Sequence, residues 1–199
     1  NLHEFAQVIV PSNHNVELFS RYHRDVSLVT LGIDPETWRY QARKAPRTTF
    51  DFLCGGSGDR KGGDLAYRAF LAAFPAERYD GPIPRLILKS PKGQGDIPLH
   101  PSVLVVPGRL DAQEEVDLYA DAHCYVQPSR GEGFGLQPLQ AIAQGMPTIL
   151  TDAHGHDSFA HLGLGVGSTM VPAQYFIYGD AGEWWEPNLD EIVDHMRDV

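Results

Sequence analysis

The chain reads as short apolar runs separated by stretches whose apolar positions recur at helical spacing. Runs at 7–10, 50–54, 85–88, 103–106, 124–127 and 148–150 predict strands, and segments 64–74, 114–122 and 136–143 predict helices. In the first of those helices Leu65, Phe70, Leu71 and Phe74 share an apolar face. A strand that is apolar throughout has to bury both of its faces, and helices alternating with such strands can cover them. The pattern therefore predicts an α/β fold, a doubly wound parallel sheet with helices on both sides. Two regions break the rhythm. Residues 32–47 contain proline and charge without a period and read as a connection between domains. Residues 163–182 are rich in glycine and aromatics and receive no assignment. From 189 to 199 a helical pattern returns, opened by Pro187-Asn188.

Composition narrows the partners. The 199 residues suffice for one domain or one and a half, with 42% apolar and 21% charged residues. Lys and Arg total 16 against 26 Asp and Glu, a net charge of −10. So acidic a surface repels phosphate backbones, which argues against nucleic acid as a partner. A small anionic ligand needs only a local basic or amide-lined pocket. Cys54 and Cys124 each lie in an apolar strand-like run and read as buried, reduced thiols of a cytoplasmic protein. No apolar run reaches the roughly 18–20 residues of a membrane-spanning helix. No basic segment followed by an apolar one marks the start, so neither a transmembrane segment nor a signal peptide is expected.

Ligands of doubly wound sheets bind outside the carboxyl ends of the strands, which directs attention to three strand-to-helix junctions. Gly55-Gly56-Ser57-Gly58-Asp59-Arg60-Lys61-Gly62-Gly63 is the first. Its glycines admit close backbone approach, its N–H groups can cradle an anion beside a helix N-terminus, and Lys61 adds a full charge. It matches neither a Walker A loop nor a G-x-G-x-x-G fingerprint, and a solvated surface turn is the competing reading. Pro128-Ser129-Arg130-Gly131-Glu132-Gly133-Phe134-Gly135-Leu136 is the second. Its glycines expose amides at the positive end of a helix whose first turn tolerates Pro138. Glu132 stands among them, placed to accept hydrogen bonds from hydroxyls or merely to complement the helix dipole. Amides for phosphate beside a carboxylate for hydroxyls is the chemistry a nucleotide sugar requires. The third, Thr151-Asp152-Ala153-His154-Gly155-His156-Asp157, invites a metal reading, but His-x-His in a loop without a further ligand cluster is weak evidence for zinc. A polar loop lining a ligand pocket through His154 is preferred, and no metal is expected.

Glu132-Gly133-Phe134-Gly135-Leu136, followed by Pro138, Ala141 and Gly145-Met146-Pro147, resembles glycosyltransferase family 4. Further landmarks stand in the family's order. Pro11-Ser12 with Val16 and Phe19 resembles the strand and helix before its donor domain, and Leu31-Gly32-Ile33-Asp34 its interdomain link. Arg60-Lys61-Gly62 resembles its phosphate loop, 118–122 the helix before the Pro-Ser strand, and Trp185-Glu186-Pro187 the approach to its last helix. The shared order makes the resemblance specific over nearly the whole chain.

The resemblance implies the Rossmann-like, nucleotide-sugar-binding half of a GT-B fold. It implies a retaining, metal-independent transfer of a hexosyl-type sugar from a UDP-, GDP- or ADP-linked donor to an acceptor hydroxyl, with no cofactor. Lys61, with Arg60 and the amides of Gly133, Phe134, Gly135 and Leu136, would neutralise the departing diphosphate, and Glu132 would orient the sugar. Gly56 and Ser57 would lie along the phosphates, Arg109 and Leu110 against the base, and Gln140 at the ribose. Two positions depart from the family pattern. Gln140 stands where the second glutamate of Glu-x7-Glu is usual, and keeps an acceptor without its charge. Gln137, Gln140 and Gln144 also form a polar stripe that a solvated helix face would present. Gly56 stands where many members carry arginine, with Arg60 as the substitute.

By the same resemblance, residues 1–30 would be the tail of a mostly absent acceptor domain upstream of Asn1, and 31–47 the connection. Residues 48–188 would be the donor domain, and 189–199 a helix crossing back toward the first. An acceptor-binding domain or partner chain is thereby implied, with the acceptor itself unspecified. Two other readings stay open: a non-catalytic nucleotide-sugar-binding module acting with a partner chain, which Gln140 favours, and a GT-B sugar-nucleotide epimerase.

Overall fold

Alternation within the strands decides which helix covers which face of the sheet. In the computed structural model the described residues are 2–43, 45–46, 48–75, 79–95, 97–175 and 179–199. The leading segment holds β1 (Val8–Val10), α1 (Asn13–Phe19) and β2 (Val26–Leu28). Then come β3 (Thr49–Cys54), α2 (Gly63–Ala73), β4 (Ile83–Ser90), β5 (Val103–Pro107), α3 (Ala112–Asp121), β6 (Cys124–Gln127), α4 (Leu136–Ala143) and β7 (Thr148–Thr151). The chain closes with β8 (Leu164–Val166), β9 (Ser168–Tyr175), β10 (Gly179–Pro187) and α5 (Leu189–Asp198).

Six of these strands form one parallel sheet in the order β5-β4-β3-β6-β7-β8. Counted from β3, that is the doubly wound order 3-2-1-4-5-6. Phe52 and Cys54 point to one face, where they pack with Leu86, Leu88, Cys124 and Val126 under α2 and α5. Leu53, Ile87 and Tyr125 point to the other, under Tyr119 of α3, Ala141 of α4, Met146 and Trp38. Both faces are thus covered, as apolar strands require. The α/β, doubly wound prediction holds.

Four details depart from the expectations. First, α3 starts at Ala112, because Asp111 and Glu114 form a reciprocal capping box: each side chain accepts the other's backbone N–H at 2.8 Å. Second, segment 163–182 contributes β8 and most of an antiparallel β9–β10 hairpin; residues 176–178 within it lie outside the described residues. Third, β2 is a short strand that exists through parallel pairing with β1, Val8 opposite Val26. Fourth, Gln144, just past α4, is fully buried, while Gln137 and Gln140 are half-buried, so the glutamine stripe is only in part a solvated face. The segment that the sequence reads as a connection docks there: Gln144 O accepts from Gln41 N at 3.1 Å and from Arg43 Nη2 at 3.0 Å. Arg43 Nη1 meets the carbonyls of Tyr119, Ala120 and Ala122 at the end of α3. Residues 44 and 47 of that connection lie outside the described residues. At the far end, α5 rests on α2, with Arg197 Nη2 donating to Ala72 O at 3.0 Å.

Candidate functional site

β3 and β6 are neighbours from which the chain winds away in opposite directions, to β4 and β5 on one side and to β7 and β8 on the other. Loops leaving their carboxyl ends must diverge, and that opens a crevice. Those loops are 55–62 and 128–135. They meet backbone to backbone: Gly62 has φ 73°, and a Cβ on it would fall 1.9 Å from Pro128 O. Gln127 Nε2 donates to Lys61 O at 3.1 Å, and Arg130 N to Arg60 O at 2.8 Å. The consequence is an ion pair across the crevice. Lys61 Nζ lies 2.7 Å from Glu132 Oε1, and Arg60 Nη1 lies 3.4 Å from the same oxygen. The Glu132 side chain is only 10% exposed, while Lys61 and Arg60 are 30% and 44% exposed. Cations on the open side of a shielded carboxylate are available to an arriving anion.

The third junction braces the second. Gly155 N donates to Glu132 O at 3.0 Å, and a Cβ on Gly155 would lie 2.4 Å from Phe134 N. Ser129 O accepts from Thr151 Oγ1 at 2.8 Å and pairs with His154 Nε2 at 3.0 Å. A carbonyl only accepts, so the neutral His154 ring carries its proton on Nε2. Burial pushes the His154 pKa down to about 4. Burial, helped by the His154 ring, pushes that of His156 down to about 3. Both rings are neutral supports at neutral pH. His154 also holds a left-handed backbone, φ 48°, which is uncommon outside glycine.

Gly135 caps α4 with φ 98° and has no side chain to offer the first turn. The amides at that end are therefore left for a ligand or water, with the one at Pro138 missing. The Phe134 ring is in the core, 5.5 Å from Phe159, so only its backbone can serve a ligand. Gly56 faces the stem of Lys61, and Ser57 Oγ donates to Ser90 Oγ at 2.9 Å. Leu136 is partly exposed at the start of α4, and Gln140 is half-buried further along it. Arg109 is exposed and Leu110 half-buried in the loop after β5, two strands from β3. The structure brings Lys61, Arg60, Glu132 and the 133–136 backbone together. Arg109 and Leu110 stand at a distance from them, along the same edge of the sheet.

Beside Glu132 a cleft of about 1020 Å³ opens between α1 and the β9–β10 hairpin, with Arg60 and His154 also at its wall. The leading segment reaches the site directly: Asn15 Nδ2 donates to Gly133 O at 3.0 Å, and His14 N to Asp157 Oδ2 at 3.1 Å. On the hairpin side, Trp185 N donates to Arg130 O at 3.0 Å. Arg130 carries no functional expectation from the sequence, nor do its ion-pair partners Asp64 and Glu186. The three are far apart in the chain, and no local spacing marks them. Among the described residues no group of three or more His, Cys, Asp or Glu side chains is placed to hold a metal. No helix among them is long and apolar enough to cross a membrane.

Comparison with known proteins gives concordant findings. The sequence model of a family described as "Family 4 Glycosyltransferase in conflict systems" matches residues 13–196. A 48-residue stretch is 40% identical to a putative glycosyltransferase of a Sulfolobus islandicus filamentous virus, covering 24% of this chain and 15% of that protein. The fold is similar to that of WaaG, a glycosyltransferase involved in lipopolysaccharide biosynthesis, with a TM-score of 0.68 at 16% identity over 96% of this chain. Sucrose-phosphate synthase from Thermosynechococcus elongatus gives 0.66 at 17% identity, again over 96% of this chain. The chain spans about half the length of these two structures, 53% and 48%.

Proposed function

The chain belongs to the family 4 glycosyltransferases of conflict systems, and from that membership we propose that it supplies the donor site of a retaining sugar transfer from a nucleotide-diphosphate sugar. The observation that carries the reading is the Lys61–Glu132 pair, 2.7 Å apart at the switch point of a doubly wound sheet. There a diphosphate meets Lys61, Arg60 and the amides opening α4. Sugar hydroxyls meet Glu132 in the same crevice. As the bond between the anomeric carbon and the β-phosphate oxygen breaks, negative charge grows on the leaving diphosphate. Lys61 is mounted to receive it once the anion draws it from Glu132. No step requires a metal. The acceptor hydroxyl would be presented by a further domain or chain facing α1, in keeping with the chain's spanning about half of its structural relatives.

Titrating UDP, GDP and ADP against the chain and its Lys61→Ala variant tests this. Binding of one nucleotide, weakened about tenfold or more by the substitution, is expected for a lost charge-assisted contact. Equal binding by the variant, or none at millimolar nucleotide, sinks the reading. A second reading, a nucleotide-sugar-binding module without transfer activity, is favoured by Gln140, which offers the ribose no charge. Gln140→Glu should tighten donor binding about two- to tenfold if the ribose sits there.

A further inference from the structure

Arg130 sits in the middle of the site, yet no role for a bound ligand is open to it. The residue is 5% exposed, and its guanidinium is committed on every side. Nε and Nη2 donate to Glu186 at 2.5 and 2.9 Å, Nη1 and Nη2 to Asp64 at 2.7 and 2.8 Å, and Nη1 to Asp59 O at 2.5 Å. Those bonds use all the donors a guanidinium has. Its charge is outweighed by two carboxylates, and its Cζ lies over the Trp184 ring, 5.1 Å from the ring centroid. Burial works against the ionised form, but the bonds to Asp64 and Glu186 overcome it and hold the arginine firmly charged.

What the guanidinium joins is informative. Asp59 belongs to the loop carrying Arg60 and Lys61, Asp64 to the first turn of α2, and Glu186 to β10. The backbone of the same residue adds Arg130 N to Arg60 O and Trp185 N to Arg130 O. Glu132 follows two residues later, on a loop also tied to Asn15, Gly155 and Arg60 and held at Ser129 O by Thr151 and His154. We propose that Arg130 is the positioning residue of the donor site. It clamps the 59–62 loop, α2 and the hairpin to the base of the Glu132 loop, and so holds Glu132 in place opposite Lys61. The proposal rests on the donor-site reading. It assigns the hairpin a part in the site through Glu186, although β10 supplies no charge to the ligand by this route.

A clamp that places Glu132 acts on the sugar more than on the phosphates, because Lys61 keeps anchors of its own at Gln127 and Gly62 when the clamp is weakened. The test compares each bare nucleotide with its sugar: UDP with UDP-glucose, GDP with GDP-mannose, and ADP with ADP-glucose, by calorimetry. Wild type is expected to bind one sugar nucleotide more tightly than its parent nucleotide. In Arg130→Lys and Glu186→Gln that sugar-dependent increment should shrink about tenfold. Bare-nucleotide affinity should change much less. A merely structural role would weaken both ligands alike, and that result, or an unchanged increment, overturns the proposal. Amide exchange gives an independent reading if Arg130→Lys folds poorly. Glu186→Gln should speed exchange at 131–134 and 183–185 together while β3 and β4 stay protected; exchange confined to the hairpin counts against the clamp. Wild type binding no nucleotide at all removes the donor site itself, and the positioning role with it.

Discussion

At Gly62 two requirements coincide, a left-handed backbone and contact with the carbonyl of Pro128. Gly62→Ala should cost about 1–3 kcal/mol for the backbone alone, with the clash adding to it. Gly58, where a Cβ meets nothing within 4 Å, is the control. Urea unfolding should show a large fall in midpoint for the first substitution and little for the second; equal effects would remove the close approach as the reason. His154 and His156 carry a pH signature. Above their ordinary value of 6.5 both are neutral whether folded or unfolded. Below it the unfolded chain takes up protons that the folded state refuses until about pH 4 and about pH 3. Stability attributable to them is therefore full above 6.5 and falls as pH drops, by about 1.4 kcal/mol per unit for each ring. His156→Gln should flatten the dependence between pH 6.5 and 4 by one such share, measured against wild type by urea melts. These residues were visible in the sequence as glycines and histidines of loops. Their close contacts were not, because the partner atoms come from other loops.

Among the elements, five of the six strands of the parallel sheet and the helices that cover it were legible because each carries its own signal, whereas β8 falls in the stretch that received no assignment. Apolar runs mark β3, β4, β5, β6 and β7, and spacing marks α2, α3 and α4. The hairpin was not legible. β9 and β10 stand apart from the main sheet, so neither strand is buried on both faces, and a register shift between Asp180 and Glu183 breaks any alternation. What fixes the hairpin is nonlocal: the Arg130–Glu186 ion pair and the bond from Trp185 N to Arg130 O. α5 is the opposite case. Asn188 caps it by accepting from Asp190 N at 3.0 Å and Glu191 N at 3.4 Å, and Ile192, Val193 and Met196 bury its apolar face. Asn188→Ala should lower stability by about 1 kcal/mol and leave nucleotide affinity unchanged, since α5 packs on α2, β7 and β8. A matching loss of affinity would tie α5 to the site instead.

For the whole molecule, the two thiols report on cooperative opening. Cys54 and Cys124 are buried and unpaired in the core, and burial pushes the Cys54 thiol up to about 11 and raises that of Cys124. Neither should react with a disulfide reagent in the native protein, and both should react as urea unfolds it; native reactivity would show the core opening locally. By itself the sequence determined the alternation of strands and helices, the glycine-rich junctions and their chemistry, because periodicity and backbone freedom are properties of neighbouring residues. The strand order β5-β4-β3-β6-β7-β8, the meeting of Lys61 with Glu132, and the commitment of Arg130 to Asp64 and Glu186 were decided only by tertiary structure. They depend on which distant segments become neighbours. Packing both faces of the sheet settles that, and no spacing along the chain encodes it.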